Sequence, residues 1–223
     1  MFLDRDGTLV RDVRNGADPA ALEVLAGVVP ALRRLQAGGY RLIVASNQSG
    51  VARGLFTMAE ARAVGSHLAA VLREAGVVLD GYYLCPHHPA GVVERWARRC
   101  GCRKPAPGLL LRAAADLGID LSRSWMVGDD GCDARAGRAA GARCVLVDRG
   151  QLSAADVFDN EVLVVRNLAH AAAVVLMTDG LASGDAGALA PVARGDLRQA
   201  GAAPERRRFG QASASPNATW AEC

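Results

Sequence analysis

Short apolar, β-rich runs recur along this chain with helix-forming stretches between them. That alternation constrains the fold more than any other feature. Tyr40 to Ala45, Tyr82 to Leu84, Trp125 to Val127, Cys144 to Val147 and Glu161 to Val165 are near-continuous in hydrophobicity. Strands of that kind are buried on both faces, which implies a parallel sheet covered by helices. The helical stretches carry their own punctuation. Thr57 and Glu60 have the spacing of a capping box ahead of an Ala/Leu-rich run ending near Gly76. Pro107-Gly108 opens a helix through Ala115, and Gly141 can end one that begins near Asp133.

With 223 residues the chain suffices for one α/β domain and a tail. Composition shifts after Met177 toward Ala, Gly, Ser and Pro with little periodicity. The expectation is a folded domain over 1–177 and a disordered tail over 178–223, with Arg206 to Arg208 a solvated charge run inside it. Lys and Arg number 26 against 23 Asp and Glu, too small a surplus to argue for nucleic acid or a membrane surface as partner. No apolar run reaches the roughly 20 residues of a membrane helix, and no secretory leader pattern opens the chain. A cytoplasmic monomer is expected.

The opening MFLDRDGTLV sets Asp4 and Asp6 two residues apart at the end of a short apolar strand. In an extended chain alternate side chains share a face, and two carboxylates held that way call for a cation or a shared proton. Three further polar clusters fall at or after strand ends, where an open parallel sheet binds its ligands. They are Ser46-Asn47-Gln48-Ser49-Gly50, Lys104 in a Pro-bounded loop, and Gly128-Asp129-Asp130 with Asp133 beyond. One pair of carboxylates alone would be a turn or a cap. All four clusters in this order suit phosphoryl transfer. A carboxylate nucleophile forms an acyl phosphate and splits one hard hydrolysis into two steps. Asp4 takes that role, and Asp6 protonates the leaving oxygen and then activates water. Mg²⁺ prefers a few carboxylates plus phosphate and water, and Asp4 and Asp129 can supply them. Ser46 and Lys104 can hold the phosphoryl oxygens as charge spreads over them. Asp133 reads as a helix-start or loop-orienting carboxylate.

DRDGT, SNQSG, RKP and GDDGCD resemble the four motifs of the haloacid dehalogenase superfamily of phosphatases, over about Met1 to Asn167. The resemblance implies a Rossmann-like domain without a large cap. It implies Mg²⁺ held by Asp4, the Asp6 main-chain carbonyl and Asp129, with phosphate on Ser46 and Lys104. Substrate contacts are implied at Asp12, Val13, Arg14 and Asn15, at Ser46, Asn47, Gln48 and Ser49, and at Arg103 and Lys104. The stretches CPHHPAGVVERWARRCGCRKPAPG and SNQSGVARGLFT resemble a branch acting on a heptose 1,7-bisphosphate, with histidinol phosphate or another small phosphomonoester as the alternative substrate and a non-catalytic phosphate-binding module as the alternative of another class. That branch usually has a substrate-contacting Lys where this chain has Asp130, and an aspartate there would repel a second phosphate. Only three residues precede Asp4, so a short first strand is expected.

The insert also reads as a Zn²⁺ site on its own. Cys85-x-His87 and Cys100-x-Cys102 supply three thiolates and an imidazole, a closed tetrahedral set with no position for water. Such a site is structural: the metal orders a loop too poor in apolar residues to order itself.

Overall fold

A computed structural model describes residues 1–12, 17–157, 162–182 and 219–222. Seven strands make one parallel sheet: β1 (Phe2–Leu3), β2 (Ile43–Asn47), β3 (Gly81–Cys85), β4 (Trp125–Gly128), β5 (Arg143–Val147), β6 (Leu163–Val165) and β7 (Thr219–Glu222). The longer helices are α1 (Val28–Ala37), α2 (Met58–Glu74), α3 (Gly108–Leu117), α4 (Gly131–Ala139) and α6 (Leu168–Ala182), with the single turn α5 (Ala154–Val157) between β5 and β6.

Strand order is β6-β5-β4-β1-β2-β3-β7. The chain therefore builds outward from β1 in one direction through β3, then crosses back to place β4 on β1's other side. That reversal opens a crevice at the carboxyl ends of β1 and β4. The short β1 is held from both sides, Phe2 opposite Ile43 and Met126, Leu3 opposite Val44 and Val127.

The pleat sends successive side chains to opposite faces, and each face has its own core. Leu3, Val44, Tyr82, Leu84, Val127, Val145 and Val147 pack with α1, α2 and α6 on one side. Phe2, Ile43, Ala45, Tyr83, Met126, Cys144 and Leu146 pack with α3 and α4 on the other. Burial on both sides is the reason these strands read as unbroken apolar runs. Thr57 and Glu60 form the expected capping box at α2, and α3 and α4 begin within a few residues of the expected starts.

Two features depart from the sequence reading. The boundary expected after Met177 falls inside α6, which continues to Ala182. Its final turn is pinned because Asp179 pairs with Arg143 at 2.6 Å and accepts from Trp125 Nε1 at 3.2 Å and from Tyr40. Within the stretch expected to lack structure, Thr219–Glu222 pairs with β3 as an edge strand, Thr219 opposite Gly81. The alternation of Thr, Trp, Ala and Glu is short, but a strand whose bonds are supplied by an existing edge needs little length. The stretch 183–218 lies outside the described residues, as does Glu161.

Candidate active site

Asp4 follows β1 directly, and its main-chain N–H donates to Val127 O at 2.9 Å, which ties it to β4. Asp129 follows β4. The turn after β1 passes so close to Asp129 that a Cβ on Gly7, which has φ +75°, would meet Asp129 Oδ2 at 1.7 Å. Only glycine fits there, sterically and conformationally. Gly128 is similarly constrained: its Cβ would meet Asp133 Oδ2 at 2.1 Å. These two glycines let the carboxylates close over the strand ends.

Lys104, the chain's single lysine, is buried at 3% exposure. Its ammonium donates to Asp4 Oδ1 at 2.6 Å and to Ala45 O at 2.8 Å, and pairs by charge with Asp133 Oδ1 at 2.6 Å. Asn47 fixes the lysine's backbone from both ends of its amide, donating to Lys104 O at 3.0 Å and accepting from Lys104 N at 3.1 Å. Asp133 also closes a capping box at the start of α4, taking the Asp130 N–H at 3.2 Å while Asp130 takes the Cys132 N–H at 2.7 Å.

Asp4, Asp129 and Asp133 each offer a carboxylate oxygen, all within 4.8 Å of one another. Three acids share one lysine in a site largely shut from water. Burial pushes the Asp4 carboxyl up to about 8, with Lys104 opposing and Asp133 and Asp6 adding. Burial and then Asp133 push Asp129 up to about 7. Such a surplus of hard oxygen donors at one point fits a small divalent cation such as Mg²⁺.

Asp6 is held by partners of its own. Its carboxylate accepts from Arg5 Nε at 3.0 Å and NH2 at 2.8 Å, and from Gln48 Nε2 at 2.8 Å. Gln48 Nε2 also reaches Ser46 Oγ at 2.8 Å.

Beside these groups the Sγ atoms of Cys85, Cys100 and Cys102 lie 3.3 to 3.5 Å apart, and His87 Nδ1 is 3.7 Å from Cys85 and 3.6 Å from Cys102. A tetrahedron with 2.3 Å metal–sulfur bonds has edges of about 3.7 Å, so the set fits Zn²⁺. The loop between the ligand pairs is stitched to the β2–α2 loop by Val92 N and Val93 N, both donating to Ala52 O, at 2.8 and 2.9 Å. Trp96 packs against the His87 ring with centroids 5.5 Å apart.

The sequence-predicted residues sort as follows. Asp4, Ser46, Gln48, Lys104 and Asp129 converge on the β1–β4 crevice and its β2 side, and Asp6 joins through Gln48. Asn47 serves the Lys104 backbone, and Arg103 NH1 reaches His87 O at 3.3 Å. Ser49 is half-buried and Asp12 is exposed. Val13, Arg14 and Asn15 lie outside the described residues. The sequence reading did not single out Arg5 and Tyr82, whose hydroxyl is 3.4 Å from Arg5 NH1. The signal was present for Arg5: an arginine between two site carboxylates must find a partner.

This chain belongs to the haloacid dehalogenase-like phosphatases, and residues 101–171 match the HAD-hydrolase-like family model. Within that class it is 42% identical over 170 residues to D-glycero-β-D-manno-heptose-1,7-bisphosphate 7-phosphatase of Salmonella typhi, across 76% of this chain and 90% of the relative. It is 45% identical over 140 residues to the protein of that name in Escherichia coli K12, across 63% and 73% of the two chains. The D,D-heptose 1,7-bisphosphate phosphatase of B. bronchiseptica, solved with magnesium and phosphate, superposes with a TM-score of 0.69 at 31% identity, covering 80% of this chain and 98% of that one.

Proposed function

We propose that this phosphatase removes the 7-phosphate of D-glycero-β-D-manno-heptose 1,7-bisphosphate through a phosphoaspartyl intermediate on Asp4. The observation that carries the reading is the buried Asp4 carboxylate at the sheet's reversal point, bonded to the only lysine and facing Asp129 and Asp133. An Asp4 oxygen attacks phosphorus as the bond to the sugar oxygen breaks, and Asp6 delivers a proton to that oxygen. Asp6 then takes a proton from the water that attacks the acyl phosphate, releasing inorganic phosphate and restoring Asp4. Lys104 and Ser46 hold the phosphoryl oxygens throughout.

Asp4, the Asp6 main-chain carbonyl and Asp129 would hold Mg²⁺, with Asp133 as a further oxygen beside them. The ion would supply positive charge against the phosphoryl oxygens. Cys85, His87, Cys100 and Cys102 would hold Zn²⁺ as a structural clamp. Asp12, Val13, Arg14, Asn15, Ser49 and Arg103 would shape substrate binding. Heptose phosphatases as relatives favour this substrate over histidinol phosphate. The protein acts as a cytoplasmic monomer.

Phosphate release is to be compared for the heptose bisphosphate, histidinol phosphate and 4-nitrophenyl phosphate, with Mg²⁺ and with chelator. The bisphosphate is expected to lose one phosphate, the phosphorus spectrum retaining the anomeric signal. Its kcat/KM should exceed that of histidinol phosphate by about 100-fold, as sites built to pair polar groups discriminate. Absence of Mg²⁺-dependent release from every ester overturns the reading.

A further inference from the structure

A charged side chain as buried as Arg5, at 5% exposure, must spend its donors within the protein. Arg5 spends them on one patch. Nε and NH2 fork onto Asp6 at 3.0 and 2.8 Å, NH2 also reaches Gln48 Oε1 at 3.0 Å, and NH1 lies 3.4 Å from the Tyr82 hydroxyl. Gln48, at 4% exposure, is anchored by its own N–H to Cys85 O at 2.7 Å. The Asp6 carboxyl is thus braced from β2 and β3 as well as from its neighbour in sequence.

The count of lone pairs gives this arrangement a direction. Each carboxylate oxygen can accept about two hydrogen bonds. Asp6 Oδ2 receives Arg5 NH2 and Gln48 Nε2, both at 2.8 Å, and is full. Among the described residues Oδ1 receives Arg5 Nε alone, at 3.0 Å, and the side chain is 28% exposed. Resting on the phosphatase reading above, we infer that Arg5 and Gln48 are positioning residues that present Asp6 Oδ1 as the proton-carrying oxygen. Gln48 has a second effect. It donates to Ser46 Oγ at 2.8 Å, so the serine accepts there and keeps its one O–H proton for a phosphoryl oxygen.

The test exploits the leaving group. A sugar alkoxide must be protonated as it departs, whereas 4-nitrophenolate leaves without a proton. Both esters form the same aspartyl phosphate, so kcat/KM, which reports the first transfer, is the quantity to compare. Lysine cannot fork onto a carboxylate. Arg5→Lys is expected to lower kcat/KM about 100-fold for the heptose bisphosphate and by no more than about threefold for 4-nitrophenyl phosphate, in line with loss of a positioned acid. Gln48→Met should lower both through Ser46, and the sugar ester about tenfold more; it decides the matter if Arg5→Lys does not fold. An equal loss on the two esters, in whichever variant folds, overturns the inference. A wild-type protein inert toward both esters overturns the phosphatase reading instead.

Discussion

A trio of carboxylates and a single carboxylate occupy opposite ends of the same sheet, and the two sites are balanced in opposite ways. At the carboxyl ends of β1 and β4, Asp4, Asp129 and Asp133 share Lys104, and burial raises the first two carboxyls toward neutrality. At the amino ends of β4 and β5, Asp179 alone takes bonds from Arg143, Tyr40 and Trp125. There burial pushes upward, but those bonds and the Arg143 charge outweigh it and hold the carboxyl below its ordinary range. A cluster with donors in excess is complete and serves the fold. One with acids in excess is incomplete without a cation and a substrate, and carries unspent electrostatic energy toward them.

The comparison breaks most visibly at Asp4. Asp4→Asn should lower kcat by at least about 1,000-fold, since an amide cannot form the acyl phosphate. Its melting temperature should match or exceed that of the wild type, because one of three crowded acids has been neutralised. A marked fall in melting temperature would place Asp4 with the structural carboxylates and defeat the contrast.

The Cys/His cluster sharpens the comparison, since it lies at the active end yet has a closed donor set. Cys100 is its half-buried member. Cys100→Ser is expected to cut zinc per chain, measured by elemental analysis, from about one to near zero and to open the intervening loop to proteolysis. Activity should fall about 10- to 100-fold through loss of loop order, while the protein retains its Mg²⁺ dependence. Zinc bound at the wild-type level in this variant would remove the site.

What was legible in the sequence is what lies within a few residues of a strand end. Asp4, Ser46 and Asp129 each stand in a short polar cluster after an apolar run, so chemistry and fold could be read together; Lys104 stands well past β3, in a Pro-bounded loop ahead of α3. The Arg5–Asp6–Gln48–Tyr82 network joins β1, β2 and β3 side by side, and no local pattern records that adjacency. In sequence Asn47 stands among ligand-binding neighbours and its type suits either a substrate or a backbone; only the fold brings Lys104 to it. The end of α6 was hidden for another reason. Leu168–Ala182 is apolar nearly all round, so it offers no helical stripe to follow, and its one informative acid pairs with residues far away in sequence.

That acid supplies the smallest expected effect. Asp179→Asn keeps the size of the side chain but loses the charge facing Arg143, worth about 1 to 2 kcal/mol for bonds to a partly exposed charged group. A drop of roughly 3 to 5 °C in melting temperature at pH 7 follows for a domain of this size. The pH dependence has a definite sign. A carboxyl whose folded-state value lies below the ordinary 3.8 stabilises the fold above that pH and loses its contribution as pH falls through the folded value. The gap between wild type and variant should therefore hold from neutral pH down to about 4 and close below it. Deleting residues from 178 onward should cost at least as much as the point substitution, because it removes Asp179 together with the last turn of α6. A truncated protein that melts with the wild type would return the domain boundary to Met177 and leave the amino-end cluster without a role in stability.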